Sequence, residues 1–346
     1  MILFITQADD SHADSVSAIL HARGIRFRRI DTSRFPNAVR ATLSFVPSGG
    51  TRHCRFSDDG GSIDLSEVTT IWNRRPQEPE VLGGMDDCAR RFARNECLHF
   101  LRGLWLQLSD RYWVNPYDAA ILANSKPYQL RIAEQTGFRI PRTIMTTVPA
   151  DAIEFAQGLD TPVVYKPFTP YSMTKHEDRG DYREIYTTVV TADEIRSRSK
   201  QIKLAPCIFQ EYIPKDFEVR ATVVGESIFA AKIESQRSER AKHDWRHYDL
   251  KNTPHGIARL PGDIEEKIFR LMRNMRLSFG CLDFIVTPDG EYVFLEVNQA
   301  GQWYWIESLT GLPISEAFAD LLATGSIAKA NNDQSVAPSD RKAKTA

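Results

Sequence analysis

The sequence predicts an α/β protein with a doubly wound N-terminal unit and an antiparallel sheet towards its C-terminal end. In the first unit, a buried strand pattern at Ile2–Thr6 precedes a helical pattern that ends at Gly24, and a second strand pattern follows at residues 25–30. Near the other end, two apolar strand patterns flank Asp289-Gly290, a dipeptide typical of a hairpin turn. These observations favour a sheet of parallel strands followed by a sheet of antiparallel ones.

The composition is that of a soluble globular protein, with 42% hydrophobic and 26% charged residues in a chain of 346. A formal net charge of −1 gives no overall field that would favour nucleic acid or an anionic membrane as a partner. No apolar run reaches the roughly 18 residues of a membrane span, and the N-terminus lacks the basic region of a signal peptide. The five cysteines show no disulfide or zinc spacing, so we expect a cytoplasmic location.

Further elements follow in order along the chain. Short strands at residues 41–70 lead to a strand at 69–72, which runs into Asn73-Arg74-Arg75-Pro76. No Gly-x-Gly-x-x-Gly follows the first strand, which argues against a dinucleotide site. A helix at residues 86–108 has an apolar stripe formed by Phe92, Leu98, Leu101, Trp105 and Leu108.

The second half begins with helical patterns and continues with strands. We expect helices at residues 119–137, 148–159, 193–203, 264–279 and 314–323. We expect strands at residues 162–168, 185–190, 208–213, 217–224 and 228–235. The polar residues after about 326 are typical of a disordered tail.

The hairpin at Asp289-Gly290 carries the first chemical signal. If the turn has two residues, Asp283 lies directly opposite Glu296, and Asn298 follows on the same face. Opposed carboxylates repel each other, and a Mg²⁺ ion, which favours one or two carboxylates together with phosphates, would offset that repulsion. An ordinary solvent-facing hairpin is the alternative, and a three-residue loop would change the pairing. The other face is predicted to be apolar, with Leu282, Phe284, Val286, Val293, Leu295 and Val297.

Two lysines upstream favour phosphate chemistry when they are taken together with the hairpin. Lys126 opens a predicted helix, and Lys166 lies in an apolar strand, where a buried ammonium needs a partner or a ligand. Taken singly, each lysine also fits a surface side chain whose stem packs on apolar neighbours.

Two strand segments between the lysines and the hairpin add candidate groups. Backbone groups at the end of the strand at 208–213 could form hydrogen bonds with the edge of an adenine base. Glu211 could accept a hydrogen bond from the adenine amino group. Strict alternation then places Glu218, Arg220 and Thr222 on one strand face, where an arginine could stabilise charge on a phosphoryl or acyl oxygen. A surface ion pair between Glu218 and Arg220 is the alternative.

This order of signals resembles the ATP-grasp superfamily over about residues 114–326. The resemblance implies an N-terminal pre-ATP-grasp domain at residues 1–115, a central lid domain at 116–205, a C-terminal domain at 206–326 and a disordered tail at 327–346. It implies ATP and Mg²⁺ as cofactors. It also implies nucleotide-binding lysines at Lys126 and Lys166, a hinge at Gln210, Glu211, Tyr212 and Ile213, a ribose-side acid at Glu218, a catalytic Arg220, and metal ligands at Asp283, Glu296 and Asn298. One departure is the lack of a glycine-rich phosphate loop, since Gly180 is the single glycine in residues 168–184.

Several motifs are similar to those of the graspetide (microviridin-type) peptide ligases, among them residues 71–76, 219–226, 229–233, 243–246 and 296–307. The resemblance implies an enzyme that activates Asp or Glu side chains of a precursor peptide as acyl phosphates and joins them to Ser, Thr or Lys side chains. Asp244 and Arg246 would act on the substrate, and Lys232 on phosphate. A precursor peptide with a leader would be the partner, and a homodimer is expected.

Other functions fit the same residues. A related ligase could add amino acids to a protein or join two small molecules. A non-catalytic ATP-binding regulator is a further alternative, although the complete set of Lys, Arg, Asp, Glu and Asn side chains argues against it.

Overall fold

A four-stranded parallel sheet organises the N-terminal part of the computed structural model, which describes residues 1–45, 53–168, 172–174, 182–184, 187–240, 242, 249 and 251–334. Its order is β2-β1-β6-β7, and all neighbours run parallel. The strands are β1 (Ile2–Thr6), β2 (Phe27–Ile30), β6 (Thr70–Arg75) and β7 (Tyr112–Val114). The helices that follow β1 and β6 are α1 (Ser11–Ala22) and α2 (Asp87–Gln107). The predicted parallel arrangement of β1 and β2 is confirmed.

A smaller antiparallel sheet joins this unit, with β3 (Arg40–Ser44), β4 (His53–Asp58) and β5 (Gly61–Asp64). This sheet shares a hydrophobic core with α2, and Leu101, Trp105 and Leu108 are buried in that core. Phe92, which was predicted to belong to the same apolar stripe, is 66% exposed because only the second half of α2 packs against the sheets.

A second four-stranded sheet follows, in the order β12-β9-β13-β8. Its strands are β8 (Thr143–Thr146), β9 (Val163–Lys166), β12 (Thr188–Val190) and β13 (Cys207–Glu211), and a separate pair consists of β10 (Ser172–Thr174) and β11 (Tyr182–Glu184). The helices α5 (Pro149–Gln157), α6 (Ala192–Ser197) and α7 (Ser199–Ile202) pack beside this central sheet. Because β13 pairs with β8 and β9, the central sheet extends past the predicted boundary at residue 205.

The C-terminal sheet is antiparallel with five strands, in the order β16-β15-β14-β17-β18. The strands are β14 (Phe217–Val224), β15 (Ser227–Ile233), β16 (His255–Ile257), β17 (Phe279–Val286) and β18 (Tyr292–Asn298). The remaining helices are α3 (Tyr117–Ala123), α4 (Lys126–Thr136), α8 (Gly262–Asn274), α9 (Tyr304–Thr310) and α10 (Ile314–Gln334). The last helix therefore continues into the segment that was predicted to be a disordered tail.

The two faces of the C-terminal sheet have different coverings. One face carries Val219, Leu282 and Phe284, and α3, α4 and α8 pack on it to form the largest core. On the other face, Cys281 and Phe279 pack against α9, α10 and the N-terminal sheet. Part of that second face stays uncovered, and this part forms one wall of the cleft described below.

One predicted helix is divided in two. The pattern at residues 119–137 forms α3 and α4, with a break at Asn124 and Ser125. Pro127 lies in the first turn of α4, where a helix tolerates proline, but its ring would clash with the carbonyl of Ala123 in a continuous helix. Among the described residues, no helix is long and apolar enough to cross a membrane.

Candidate active site

A cleft of about 680 Å³, including the part that opens to solvent, lies between the central sheet and the C-terminal sheet. The predicted site residues that line it are Lys166, Gln210, Glu211, Tyr212, Ile213, Glu218, Asp283 and Glu296. The fold therefore brings together side chains from β9, β13, β14, β17 and β18.

The hinge at the end of β13 is held by its own hydrogen bonds. The backbone N–H of Glu211 donates to the Arg142 carbonyl at 2.9 Å, and that of Tyr212 donates to the Pro162 carbonyl at 2.9 Å. The Glu211 carboxylate accepts from the Arg142 N–H at 3.2 Å, so it serves the hinge as well as lining the cleft. Gln210 donates to Thr143 at 2.9 Å, and its buried Oε1 has no hydrogen-bond partner among the described residues.

The hairpin of β17 and β18 pairs Asp283 with Glu296, as predicted, although its turn differs from the prediction. The loop has three residues, because the Thr287 N–H donates to the Glu291 carbonyl across residues 288–290. Gly290 has a φ of +85°, the left-handed conformation typical of such loops. The three-residue loop shifts the pairing of β17 with β18 by one residue from the predicted register. A bulge between Asp283 and Phe284 restores the predicted register.

The bulge also changes which side chains share a face. Val293 was predicted to lie on the apolar face but packs with Ile213 and Ile285 on the opposite face. Leu295, predicted on the same apolar face, lines the cleft beside Glu296, whereas Phe294 joins the core with Phe284. The predicted face is therefore wrong for Val293 and Leu295, because a one-residue shift in register exchanges the two faces of a strand.

Arg220 and Asp283 form a buried ion pair at the base of the cleft. The Arg220 Nη1 donates to both carboxylate oxygens of Asp283, at 2.8 and 2.7 Å, and the two residues are 5% and 9% exposed. Burial lowers the pKa of the guanidinium, but Asp283, Cys281 and Glu296 together more than offset this effect, so the pKa of Arg220 lies above its usual value. Arg220 therefore stays charged beside the cleft.

Glu296 has its own cationic partner in Lys126, whose Nζ donates to it at 2.8 Å. The repulsion between the opposed carboxylates is thus offset by Arg220 and Lys126. Asn298 follows Glu296 at the exposed end of β18. Among the described residues, no group of three or more His, Cys, Asp or Glu side chains could hold a metal by itself. Two carboxylates with one amide oxygen are nevertheless a donor set that suits Mg²⁺ when phosphates supply further ligands.

One buried lysine of the cleft was not predicted as a site residue. Lys215 is 9% exposed and donates to the Glu218 carboxylate at 2.8 Å. Burial raises the pKa of Glu218, and the Lys215 ammonium opposes that rise. The sequence signal for Lys215 was weak, because it lies in the short connection between two strands and is not part of a repeating pattern.

Three predicted residues are not brought to the described part of the cleft. Lys232 pairs across the ladder with Val219, which places it on the covered face of the sheet, opposite to Arg220. Its ammonium lies 4.3 Å from the Phe217 ring centroid and 3.3 Å from Glu234. Asp244 and Arg246 lie outside the described residues.

The loop of residues 299–303, which follows β18, is anchored by the N-terminal unit. Arg74 at the end of β6 is 1% exposed and donates to the Ala300 carbonyl and, at 3.0 Å, to the Gly301 carbonyl. Its guanidinium lies 5.2 Å from the Trp303 ring centroid and 3.3 Å from Asp10. Burial lowers the pKa of Arg74 to about 10.

Comparison with known proteins agrees with the fold described above. Residues 1–120 match the family model of the MvdD pre-ATP grasp domain. The macrocyclase MdnC of Microcystis aeruginosa, solved with the precursor peptide MdnA, is 31% identical with a TM-score of 0.81, over 93% of this chain and 99% of its own. A RiPP-associated ATP-grasp ligase of Chryseobacterium gregarium, solved with ADP, leader and core peptide, is 30% identical with a TM-score of 0.83, over 93% and 96%. RiPP denotes a ribosomally made and later modified peptide.

A more distant relative is the α-aminoadipate–LysW ligase LysX of Sulfurisphaera tokodaii, which is 22% identical over 68% of this chain and 80% of its own length. Identity of 30% or more to two structures, over nearly the whole of each chain, shows the family. The chain belongs to the RiPP-associated ATP-grasp ligases.

Proposed function

We propose that this ligase uses ATP and Mg²⁺ to activate a carboxylate side chain of a precursor peptide and joins it to a hydroxyl or amine of the same peptide. Arg220, Asp283 and Glu296 lie together on one wall of the cleft, and the hinge lies on the opposite wall. This arrangement is the main support for the proposal. The peptide as substrate is supported by the two relatives that were solved with precursor or core peptides.

The nucleotide would lie along the hinge. We assign the base to Gln210, Glu211, Tyr212 and Ile213 and the ribose side to Glu218, all of which line the cleft. Lys166 and Lys215 line the same cleft, and Lys126 reaches Glu296 at its edge, so we assign these three ammonium groups to the phosphate oxygens. Lys232 is not retained in this role, because it lies on the opposite sheet face.

Asp283, Glu296 and Asn298 would hold Mg²⁺, which supplies charge neutralisation between phosphate oxygens when bound. The other roles in the reaction belong to side chains of the protein. A carboxylate oxygen of the peptide attacks the γ-phosphorus, the bond to the β-phosphate oxygen breaks, and ADP leaves. Arg220 stabilises the negative charge on the transferred group, and an acyl phosphate is formed.

The second step completes the crosslink. A Ser or Thr hydroxyl, or a Lys amine, attacks the acyl carbon, the bond to the phosphate oxygen breaks, and inorganic phosphate leaves. The attacking group gives up its proton, for which we assign Asp244, with Arg246 orienting the substrate; both assignments rest on the family resemblance. A homodimer, a cytoplasmic location and the predicted domain boundaries stay predictions.

A ligase that adds an amino acid to a partner protein is the second candidate, because LysX is a relative over 68% of the chain. The two reactions differ in product mass. An intramolecular crosslink lowers the mass of the peptide by one water per bond, whereas addition raises it by one amino-acid residue.

The test is to incubate the enzyme with ATP, Mg²⁺ and a precursor peptide that has a leader and an acidic, Ser- or Thr-rich core, and to measure the product mass. We expect loss of water with the wild type and at least about a 100-fold lower rate with Asp283→Asn, because the buried Arg220 and the metal both lose a carboxylate. Glu291→Gln is the control, since it removes an exposed acid from the same hairpin. An added amino-acid mass, or an active Asp283→Asn enzyme, would overturn the proposal.

A further inference from the structure

Three arginines surround the loop of residues 299–303, and two of them have buried carboxylate partners. Arg74 lies 3.3 Å from Asp10, and Arg220 lies 2.7 Å from Asp283. Arg75 is the third, and within the described ranges it forms no ion pair with a carboxylate. Among the described residues, the three arginines therefore have only two carboxylate partners.

The partner of Arg75 is a neutral amide. With its amide oxygen turned towards Arg75, Gln302 accepts from Nη2 at 3.0 Å and from Nη1 at 3.2 Å, and this orientation satisfies both groups. Arg75 is partly buried, and a desolvated charge is costly unless an opposite charge faces it. An anionic ligand at Arg75 would supply that charge.

The backbone of β6 explains why consecutive arginines point to different partners. The pairing of β1 with β6 shifts by one residue, so that Ile5 pairs with Asn73 and Thr6 pairs with Arg75, and Arg74 is the extra residue. Such bulges re-aim side chains beside active sites. The carboxyl ends of parallel strands, where these arginines lie, are also the edge at which α/β sheets bind ligands.

Gln302 connects Arg75 to the reacting end of the cleft. Its side chain contacts Arg75, and its backbone carbonyl accepts from Arg220 Nη2 at 3.2 Å. Because one residue contacts both guanidinium groups, an anion held by Arg75 would lie next to Arg220. An arginine fork also matches the two oxygens of a carboxylate better than a lysine does.

We propose that Arg75 of the N-terminal unit binds the Asp or Glu side chain of the peptide that receives the phosphoryl group. The inference rests on the proposed function and extends it to a substrate residue outside the nucleotide site. Arg74 is a positioning residue in this account, because it holds the loop that carries Gln302.

The kinetic test compares Arg75→Gln and Arg75→Lys with Arg26→Gln, which changes an exposed arginine of the same unit. For Arg75→Gln we expect the KM for the precursor peptide to rise about 10- to 100-fold, as for a lost charged hydrogen bond. The KM for ATP should stay unchanged, Arg75→Lys should be intermediate, and Arg26→Gln should equal the wild type. An unchanged peptide KM, or equal losses for ATP and peptide, would overturn the proposal.

A second measurement does not depend on turnover. It therefore tests carboxylate binding by Arg75 even if the wild type crosslinks no peptide and the proposed function fails. Phenylglyoxal modification of Arg75 and Arg26 is quantified by mass spectrometry with N-acetylglutamate α-amide, with Mg²⁺ and ATP, or with neither. We expect the carboxylate probe to protect Arg75 and not Arg26. Protection by ATP alone would identify a nucleotide phosphate as the ligand, and this result, like protection by neither, would overturn the assignment.

Discussion

At the scale of single residues, the fold places charged side chains of the site next to side chains of opposite charge. Asp283 and Arg220 are 63 positions apart in sequence yet share two hydrogen bonds. Alternation along the strand predicted that Arg220 faces one side, but its partner could not be predicted, because the pairing of β14 with β17 is a long-range contact. The opposed acids led to the prediction of a Mg²⁺ ion, which stays a prediction, whereas in the structure Arg220 and Lys126 offset their repulsion.

His12 gives a pH-dependent prediction at the same scale. Its Nε2 accepts from the backbone N–H groups of Trp303 and Tyr304 at 3.0 and 3.2 Å, which requires a neutral imidazole. Burial lowers the pKa of His12 below the ordinary 6.5, although the Asp10 hydrogen bond opposes this, and the charges of Arg74 and Arg75 lower it further. Below pH 6.5 the unfolded chain therefore binds a proton that the folded chain does not, and the free energy of unfolding falls as the pH falls.

We expect the melting temperature to decrease between about pH 7 and pH 5, and to decrease less in His12→Gln, whose amide can donate and accept but does not titrate. Differential scanning fluorimetry across this range measures both proteins. Equal pH dependence of the wild type and His12→Gln would show that His12 is not the titrating group.

At the scale of elements, the hairpin shows what a sequence pattern can and cannot specify. The pattern correctly predicted that Asp283 pairs with Glu296. It did not predict that two one-residue shifts, at the loop and at Leu295, cancel each other, since a bulge depends on how the strand fits its neighbours and not on local composition. The sheet face of Lys232 could not be predicted for a similar reason, because it follows from the register of β15 against β14.

The loop after β18 gives the element-scale prediction. A Cβ on Gly301 would lie 2.5 Å from both Cβ and Sγ of Cys281, which is buried. We expect Gly301→Ala to cost about 1–3 kcal/mol of unfolding free energy, as overpacking does, and to slow turnover by displacing the Gln302 carbonyl from Arg220. Urea denaturation and the crosslinking assay measure the two effects.

The partner variant is Cys281→Gly, which removes the two atoms that would lie nearest to the new methyl group. The double variant should be less destabilised than the sum of the two single variants. Gly84→Ala is the control, because a Cβ there would meet no atom within 4 Å. Simple additivity of Gly301→Ala and Cys281→Gly would mean that the close approach of these two residues does not limit the loop.

At the scale of the whole molecule, the sequence predicted the fold class but not how the units pack. Hydrophobic periodicity predicted the parallel N-terminal strands and the antiparallel C-terminal ones. The packing of α3 and α4 on the C-terminal sheet, and of Trp303 between that sheet and the N-terminal unit, depends on contacts distant in sequence. The same contacts join Arg74 and Arg75 to the reacting end of the cleft, and no local pattern indicates that connection.

Formation of an acyl phosphate on a peptide carboxylate, with release of ADP and inorganic phosphate, is the step on which the proposed function depends. Its most direct test uses a precursor peptide whose Asp and Glu side chains carry heavy oxygen, with mass spectrometry of the phosphate released. We expect one heavy oxygen in inorganic phosphate for each crosslink formed, because the bond broken in the second step joins the acyl carbon to that oxygen. Crosslinks formed without heavy oxygen in the phosphate, or with heavy oxygen in AMP, would contradict it.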